Sequence, residues 1–230
     1  MALLGHVARL VVHPADIDQV LPMFDAVGFD AGDETSYGRR LSDGQILMLL
    51  NADGPTEPGL LYAAPSLQSV GDRLAAAGIA FTGNRTSELH LEGPGQLRIR
   101  IVAATADDIE ERSGLDNPVL GFLDSIVVPV SDTALAARWA QSCGFFILET
   151  SDVAAPMVDV TDGLVKISFR QQQLRAPYLH YTADIDKEWA DDLKQTLGQA
   201  CTIIPSGTDV GLVSVDLAGA LHVMITSDDF

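Results

Sequence analysis

The feature that most constrains this fold is an internal repeat. In the first half, an apolar strand, a turn and a helix follow one another in RLVVHPADIDQVLPMFDAVGFD, and SIVVPVSDTALAARWAQSCGFF repeats this plan 116 residues later. Asp132 corresponds to Asp16, a natural N-cap for the helix, and Gly144 corresponds to Gly28 at the helix end. A chain of 230 residues with such a repeat is predicted to fold as two similar halves.

The remainder of each half also repeats. Asp43-Gly44 and Asp162-Gly163 are typical of hairpin turns, and Tyr62 lies opposite Tyr181 in the second strand-helix unit of each half. Each half therefore contains two strand-helix-strands units, which predicts an α+β fold with helices on an antiparallel or mixed sheet. We predict domains at 1–104 and 118–230, joined by a polar, acidic linker at 105–117.

Charge and cysteine content narrow the classes of partner. The chain has 14 Lys and Arg against 32 Asp and Glu, a formal net charge of −18, which repels nucleic-acid phosphates and anionic lipids and favours a cationic ligand. Cys143 and Cys201 imply no disulfide framework. Without an export signal or a run of 18 apolar residues, the expected location is the cytoplasm, with neither nucleic acid nor membrane as partner.

Three segments resemble the vicinal oxygen chelate superfamily, which includes glyoxalase I, bleomycin-resistance proteins and extradiol dioxygenases. The helix ends MFDAVGF and WAQSCGF are similar to the family's aromatic pair and glycine-phenylalanine ending, and LDSIVVPVSD is similar to its first strand. The family's plan occurs twice, and the two copies together cover nearly the whole chain. It implies tandem paired βαβββ modules that form curved mixed sheets, the glyoxalase and bleomycin-resistance fold, with a ligand held inside each cup.

The resemblance also implies where a divalent metal would be held. The family's metal-ligand positions fall on or near residues that are not usual metal ligands. These residues are Arg9, Met48, Gly59, Leu60 and Ile99 in the first half, and Ser125, Ile167, Pro177, Tyr178 and Val223 in the second. We therefore expect no metal, and a small organic ligand held for sequestration or resistance. The predicted ligand-binding residues are Arg9, Met48, Tyr62, Ile99, Ser125, Ile167, Tyr181 and Val223.

A shift of one residue in strand register would reverse which side chains face the cup. In the second half, this shift brings Asp124 and His222 inward, near His180. Two histidines and a carboxylate hold iron or zinc in many proteins, so the alternative is a metal-dependent lyase, isomerase or extradiol-type dioxygenase that uses iron, zinc or nickel. Whether the chain is an enzyme, and whether it is a monomer or a homodimer, stays open at this point.

Overall fold

The computed structural model describes residues 3–54, 57–106, 108, 114–152, 155–172, 176–206 and 209–227. Four βαβββ modules follow one another along the chain. The first two are β1 (Val7–Val12), α1 (Ile17–Ala26), β2 (Asp30–Thr35), β3 (Gly38–Ser42), β4 (Leu47–Leu50), β5 (Gly59–Ala64), α2 (Leu67–Ala76), β6 (Thr82–Asn84), β7 (Glu88–Glu92) and β8 (Arg98–Ala103).

The second half repeats this order of elements. Its two modules are β9 (Phe122–Val130), α3 (Thr133–Ser142), β10 (Phe146–Ser151), β11 (Met157–Thr161), β12 (Lys166–Gln171), β13 (Tyr178–Ala183), α4 (Lys187–Leu197), β14 (Cys201–Ser206), β15 (Asp209–Leu217) and β16 (Leu221–Ser227). The strand-helix plan predicted from the repeat is confirmed in both halves.

Each half forms one eight-stranded mixed sheet, and the two strand orders are equivalent. The first sheet runs β2-β3-β4-β1-β5-β8-β7-β6, and the second runs β10-β11-β12-β9-β13-β16-β15-β14. β5 pairs with β8 and β13 pairs with β16 in parallel, whereas the outer pairs of strands are antiparallel. The predicted α+β class with paired βαβββ modules and mixed sheets is therefore confirmed.

Local sequence signals explain where the helices begin and end. The carboxylate of Asp16 accepts hydrogen bonds from the backbone N–H groups at the start of α1, and Asp132 does the same for α3. Gly28 and Gly144 follow the two helices with φ of +84° and +89°, a conformation that favours glycine. The repeated N-cap and the repeated glycine thus mark the same helix twice.

The chain divides into two compact units, each of which takes segments from both halves. One comprises Met1–Leu10, Gly59–Glu110 and Ser125–Pro177, and the other comprises Val11–Pro58, Glu111–Asp124 and Tyr178–Phe230. The domain limits at 1–104 and 118–230 stay a prediction. Within the predicted linker, residues 107 and 109–113 lie outside the described residues. Among the described helices, none has the length and apolar character needed to cross a membrane.

Candidate functional site

The strands β13, β15 and β16 have two very different faces. Tyr178, His180 and Thr182 are in register with His222, Met224 and Thr226, so these side chains share one side of the sheet, which we call the His180 face. The pairing of β15 with β16 adds Leu212, Ser214 and Asp216 to the same face. Six side chains on the opposite face are fully buried, namely Leu179, Tyr181, Val213, Val215, Val223 and Ile225.

A row of hydrogen bonds crosses three neighbouring strands on the His180 face. His180 Nδ1 lies 3.1 Å from Oδ2 of Asp124 on β9, and His180 Nε2 lies 3.0 Å from Oγ1 of Thr226 on β16. A carboxylate only accepts hydrogen bonds, so a neutral His180 in this row carries its proton on Nδ1. Its Nε2 then accepts a hydrogen bond from the Thr226 hydroxyl. We call Asp124, His180 and Thr226 the relay.

A second histidine lies on the same face but forms different contacts. His222 Nε2 is 3.1 Å from Oγ of Ser214, and its ring meets the Tyr178 ring edge-on with centroids 6.2 Å apart. Burial lowers the pKa of His222 and outweighs the opposing effect of the nearby Asp216 carboxylate. His222 therefore favours its neutral form.

The arrangement of these side chains decides whether they fit a divalent metal. Asp124 and His180 contact each other directly, whereas His222 is hydrogen-bonded to Ser214. Across the described part of the chain, no three His, Cys, Asp or Glu side chains come together as a group that could hold a metal ion. Since both ring nitrogens of His180 are engaged by protein groups, the predicted set Asp124, His180 and His222 does not fit a metal as it lies.

The eight residues predicted to bind a ligand without a metal are all in the interior. None is more than 4% exposed, and they are Arg9, Met48, Tyr62, Ile99, Ser125, Ile167, Tyr181 and Val223. Their side chains contribute to packing, and a role in ligand binding stays a prediction. The side chains of the alternative register, Asp124, His180 and His222, are those that lie on the less buried face.

The two tyrosines of this set form equivalent buried hydrogen bonds. The Tyr62 hydroxyl donates to Oδ2 of Asp162 at 2.8 Å, and the Tyr181 hydroxyl donates to Oδ2 of Asp43 at 2.5 Å. Burial, followed by the adjacent Asp43 carboxylate, raises the pKa of Tyr181 well above its ordinary value. Both hydroxyl groups are thereby occupied by protein partners. Both tyrosines and their hydrogen bonds lie in the core.

Arg9 is likewise occupied by a partner from its own chain. Its Nη1 atom lies 2.8 Å from Oδ1 of Asp108, and both side chains are buried. Burial alone would raise the pKa of Asp108, but hydrogen bonds from Thr105 and Arg9 outweigh burial and lower it. The guanidinium predicted to face a ligand therefore holds an internal carboxylate.

Sequence reasoning did not single out several partners in these contacts, including Thr226, Asp43 and Asp162. Thr226 was not singled out because no motif marks it, although it is four residues after His222 and therefore on the same side of the strand. Asp43 and Asp162 were assigned only to hairpin turns, yet they and the two tyrosines repeat with the same spacing of 119 residues. That shared spacing was the available signal for the two tyrosine-aspartate pairs.

No protein-family model and no curated protein matches the sequence. Solved structures are similar in fold. A mutant of homoprotocatechuate 2,3-dioxygenase from Brevibacterium fuscum gives a TM-score of 0.62 at 12% identity, and the match covers 100% of this chain and 72% of that one. A catechol 2,3-dioxygenase gives 0.61 at 16% identity, covering 99% and 89% of the two chains.

The 2,3-dioxygenase LapB from Pseudomonas sp. is a further structural neighbour, with a TM-score of 0.58 at 11% identity and coverage of 100% and 95%. At these identities the likeness shows the fold alone. It is the tandem arrangement of sheet modules that the resemblance to the vicinal oxygen chelate superfamily implies, and that part of the prediction is confirmed.

Proposed function

We propose that this protein binds a small organic molecule, without a metal, on the His180 face. The observation that carries the proposal is the relay, which places a carboxylate, an imidazole and a hydroxyl in one hydrogen-bonded row on the less buried side of the sheet. Small-molecule sites combine a few positioned polar groups with apolar surroundings. On this face Tyr178, Leu212 and Met224 supply the apolar part.

Charge favours a cationic ligand for this site. Asp124 and Asp216 lie on or beside the face, and the formal net charge of −18 attracts cations over a long range. Sequestration of such a molecule requires only a fitted site and no reaction. We therefore propose sequestration or resistance as the physiological role.

The test is a thermal-shift comparison of cationic and anionic small-molecule panels on wild type and two histidine variants. His180→Leu removes the imidazole and introduces the side chain found at the corresponding first-half position, Leu61, whereas His90→Ala changes an exposed histidine of β7. A ligand at a thousand times its Kd stabilises the folded state by about 4 kcal/mol. We expect cationic compounds to raise Tm in wild type and His90→Ala but not in His180→Leu.

Two results would contradict this proposal. One is the absence of any stabilising compound in either panel. The other is an equal ligand-induced rise in Tm for His180→Leu and wild type, which would place the bound molecule elsewhere. Circular dichroism of His180→Leu serves as the check that the variant is folded.

The second candidate function is a metal-dependent lyase, isomerase or extradiol-type dioxygenase. It is favoured by the structural neighbours, which are 2,3-dioxygenases. The contacts of Asp124, His180 and His222 argue against this function, because these side chains do not form a metal site in their observed positions. Stoichiometric iron, zinc or nickel in the purified protein, lost in Asp124→Ala and His222→Ala, would reverse the ranking.

A further inference from the structure

We infer that the relay is an acyl-transfer site, in which Thr226 is the nucleophile, His180 the general base and Asp124 the group that orients the base. The substrate class is a small carboxylic ester. This inference rests on the proposed function in one respect, because the ester must bind on the same His180 face. It goes beyond binding, since it assigns a covalent reaction to that face.

The geometry of the relay matches what such chemistry requires. A nucleophile and its base must be within hydrogen-bond reach, and a third group must hold the base in the correct tautomer. Thr226 Oγ1 is 3.0 Å from His180 Nε2, and Asp124 Oδ2 is 3.1 Å from His180 Nδ1. The carboxylate keeps the proton on Nδ1, so the nitrogen facing the hydroxyl is the one able to accept a proton.

The scaffold favours a fixed arrangement of the three groups. Asp124, His180 and Thr226 lie on β9, β13 and β16, which are consecutive neighbours in the second sheet. Groups placed on strands are held more rigidly than groups placed on loops. His180 is only 9% exposed, so its ring is supported by surrounding atoms, while Thr226 is less buried.

The proposed reaction balances without an oxidant or a cofactor. Thr226 Oγ1 bonds to the ester carbonyl carbon and its proton moves to His180 Nε2; the bond from that carbon to the alcohol oxygen then breaks, and the leaving oxygen takes the proton. Water next transfers a proton to Nε2 while its oxygen bonds to the acyl carbon. The bond from the acyl carbon to Oγ1 breaks, and Oγ1 recovers the proton. Ester and water become acid and alcohol.

The repeat shows that the fold itself does not require these polar groups. At spacings of 116, 119 and 124 residues, the first-half positions that correspond to Asp124, His180 and Thr226 carry Ala8, Leu61 and Val102. The last spacing follows from the strand register, because Tyr178 pairs with His222 and Gly59 pairs with Arg98. All three first-half side chains are buried and apolar. The same sheet order is therefore built with and without the relay, and the second half alone carries it.

The experiment uses 4-nitrophenyl acetate as the probe, with release of 4-nitrophenol and intact-mass detection of an acetylated protein as readouts. We expect acetylation at Thr226 and release of 4-nitrophenol at a rate above that of the probe in buffer alone. The release rate should fall by about 100-fold or more in each of three variants. They are Thr226→Val, His180→Leu and the triple variant that combines Asp124→Ala, His180→Leu and Thr226→Val. Thr226→Ser should retain acetylation, and Thr82→Val, which changes an exposed strand threonine, should match wild type.

The unreactive amide 4-nitroacetanilide separates failure of this inference from failure of the proposed function. If the amide raises Tm in wild type while the ester leaves Thr226 unmodified, the relay chemistry is overturned and binding stands. Acetylation that is unchanged in Thr226→Val also overturns it. If neither the amide nor any compound of the two panels binds, the proposed function itself fails. Circular dichroism of the triple variant distinguishes lost chemistry from lost folding.

Discussion

The buried bond between Tyr181 and Asp43 provides a direct test of how the fold is stabilised. The perturbation is Tyr181→Phe, which removes one hydroxyl and leaves the ring in place. The Tyr181 hydroxyl donates to Oδ2 of Asp43, whose Oδ1 accepts hydrogen bonds from the backbone N–H groups of Gln45 and Ile46. The variant thus leaves the turn contacts intact and removes only the bond to the tyrosine.

The magnitude follows from the charge and burial of the acceptor. Asp43 is 6% exposed, so water has little access to the carboxylate oxygen that loses its donor. Hydrogen bonds to charged groups contribute about 1.5–3 kcal/mol, which sets the expected loss for Tyr181→Phe at about 2 kcal/mol. Asp43→Ala should have a larger effect because it also removes the turn contacts. A double-mutant cycle should return a coupling free energy of about 2 kcal/mol.

The pH dependence adds an independent check with a defined sign. The pKa of Tyr181 is raised in the folded protein, so folded Tyr181 keeps its proton above pH 10 whereas unfolded Tyr181 begins to lose it. The folded state then binds more protons than the unfolded state, and stability falls as pH rises above 10. Tyr181→Phe removes this contribution, so its stability should fall less steeply than that of wild type in alkaline solution.

The assay is urea unfolding of wild type, the two single variants and the double variant, at neutral and alkaline pH. Tyr62→Phe serves as the comparison, because the Tyr62 hydroxyl forms the equivalent bond to Asp162. The reasoning is refuted if Tyr181→Phe unfolds with a free energy within about 0.5 kcal/mol of wild type, the range typical of neutral surface substitutions. A coupling energy near zero would refute it as well.

Three further predictions concern the unit that contains Arg9. Arg9→Met should lower the free energy of unfolding by about 3–5 kcal/mol, because it leaves the buried Asp108 carboxylate without its cation. The pKa of Asp108 is lowered from 3.8 in the folded protein. Wild type should therefore have a higher free energy of unfolding than Asp108→Asn at neutral pH, and this difference should disappear as pH falls through the folded pKa. Denaturant titrations from neutral to acidic pH measure the difference. Burial raises the pKa of Cys143 to about 12, so the folded protein should resist alkylation of this thiol by iodoacetamide and unfolding should expose it, with mass spectrometry as the readout.

The fold was predictable because its signals are local and occur twice. Apolar strands, N-cap residues such as Asp16 and Asp132, and glycines at helix ends act within a few residues. Their repetition gave the same plan from independent stretches of sequence. The α+β class and the two strand-helix-strands units in each half follow from such signals alone, whereas the βαβββ order of each module was implied by the family resemblance.

The site contacts were less predictable because their partners are far apart along the chain. Arg9 meets Asp108 across 99 residues, and Tyr181 meets Asp43 across 138 residues. No local sequence pattern indicates which carboxylate a given side chain will contact. Strand alternation also leaves the inward face undetermined by one residue, so the sequence alone does not show whether buried side chains such as Ile99 and Ile167, or those of the other face, line a ligand site.

The two copies of the repeat share the buried tyrosine-aspartate bonds but not the relay. The tyrosine-aspartate bond occurs twice, each time between a tyrosine of one half and a hairpin aspartate of the other. The relay occurs once, because its first-half positions are apolar. If the His180 face is the binding site, calorimetric titration of a ligand found in the panels should therefore give one molecule per chain. Two equivalent molecules per chain would mean that binding follows the duplicated packing instead of the polar row.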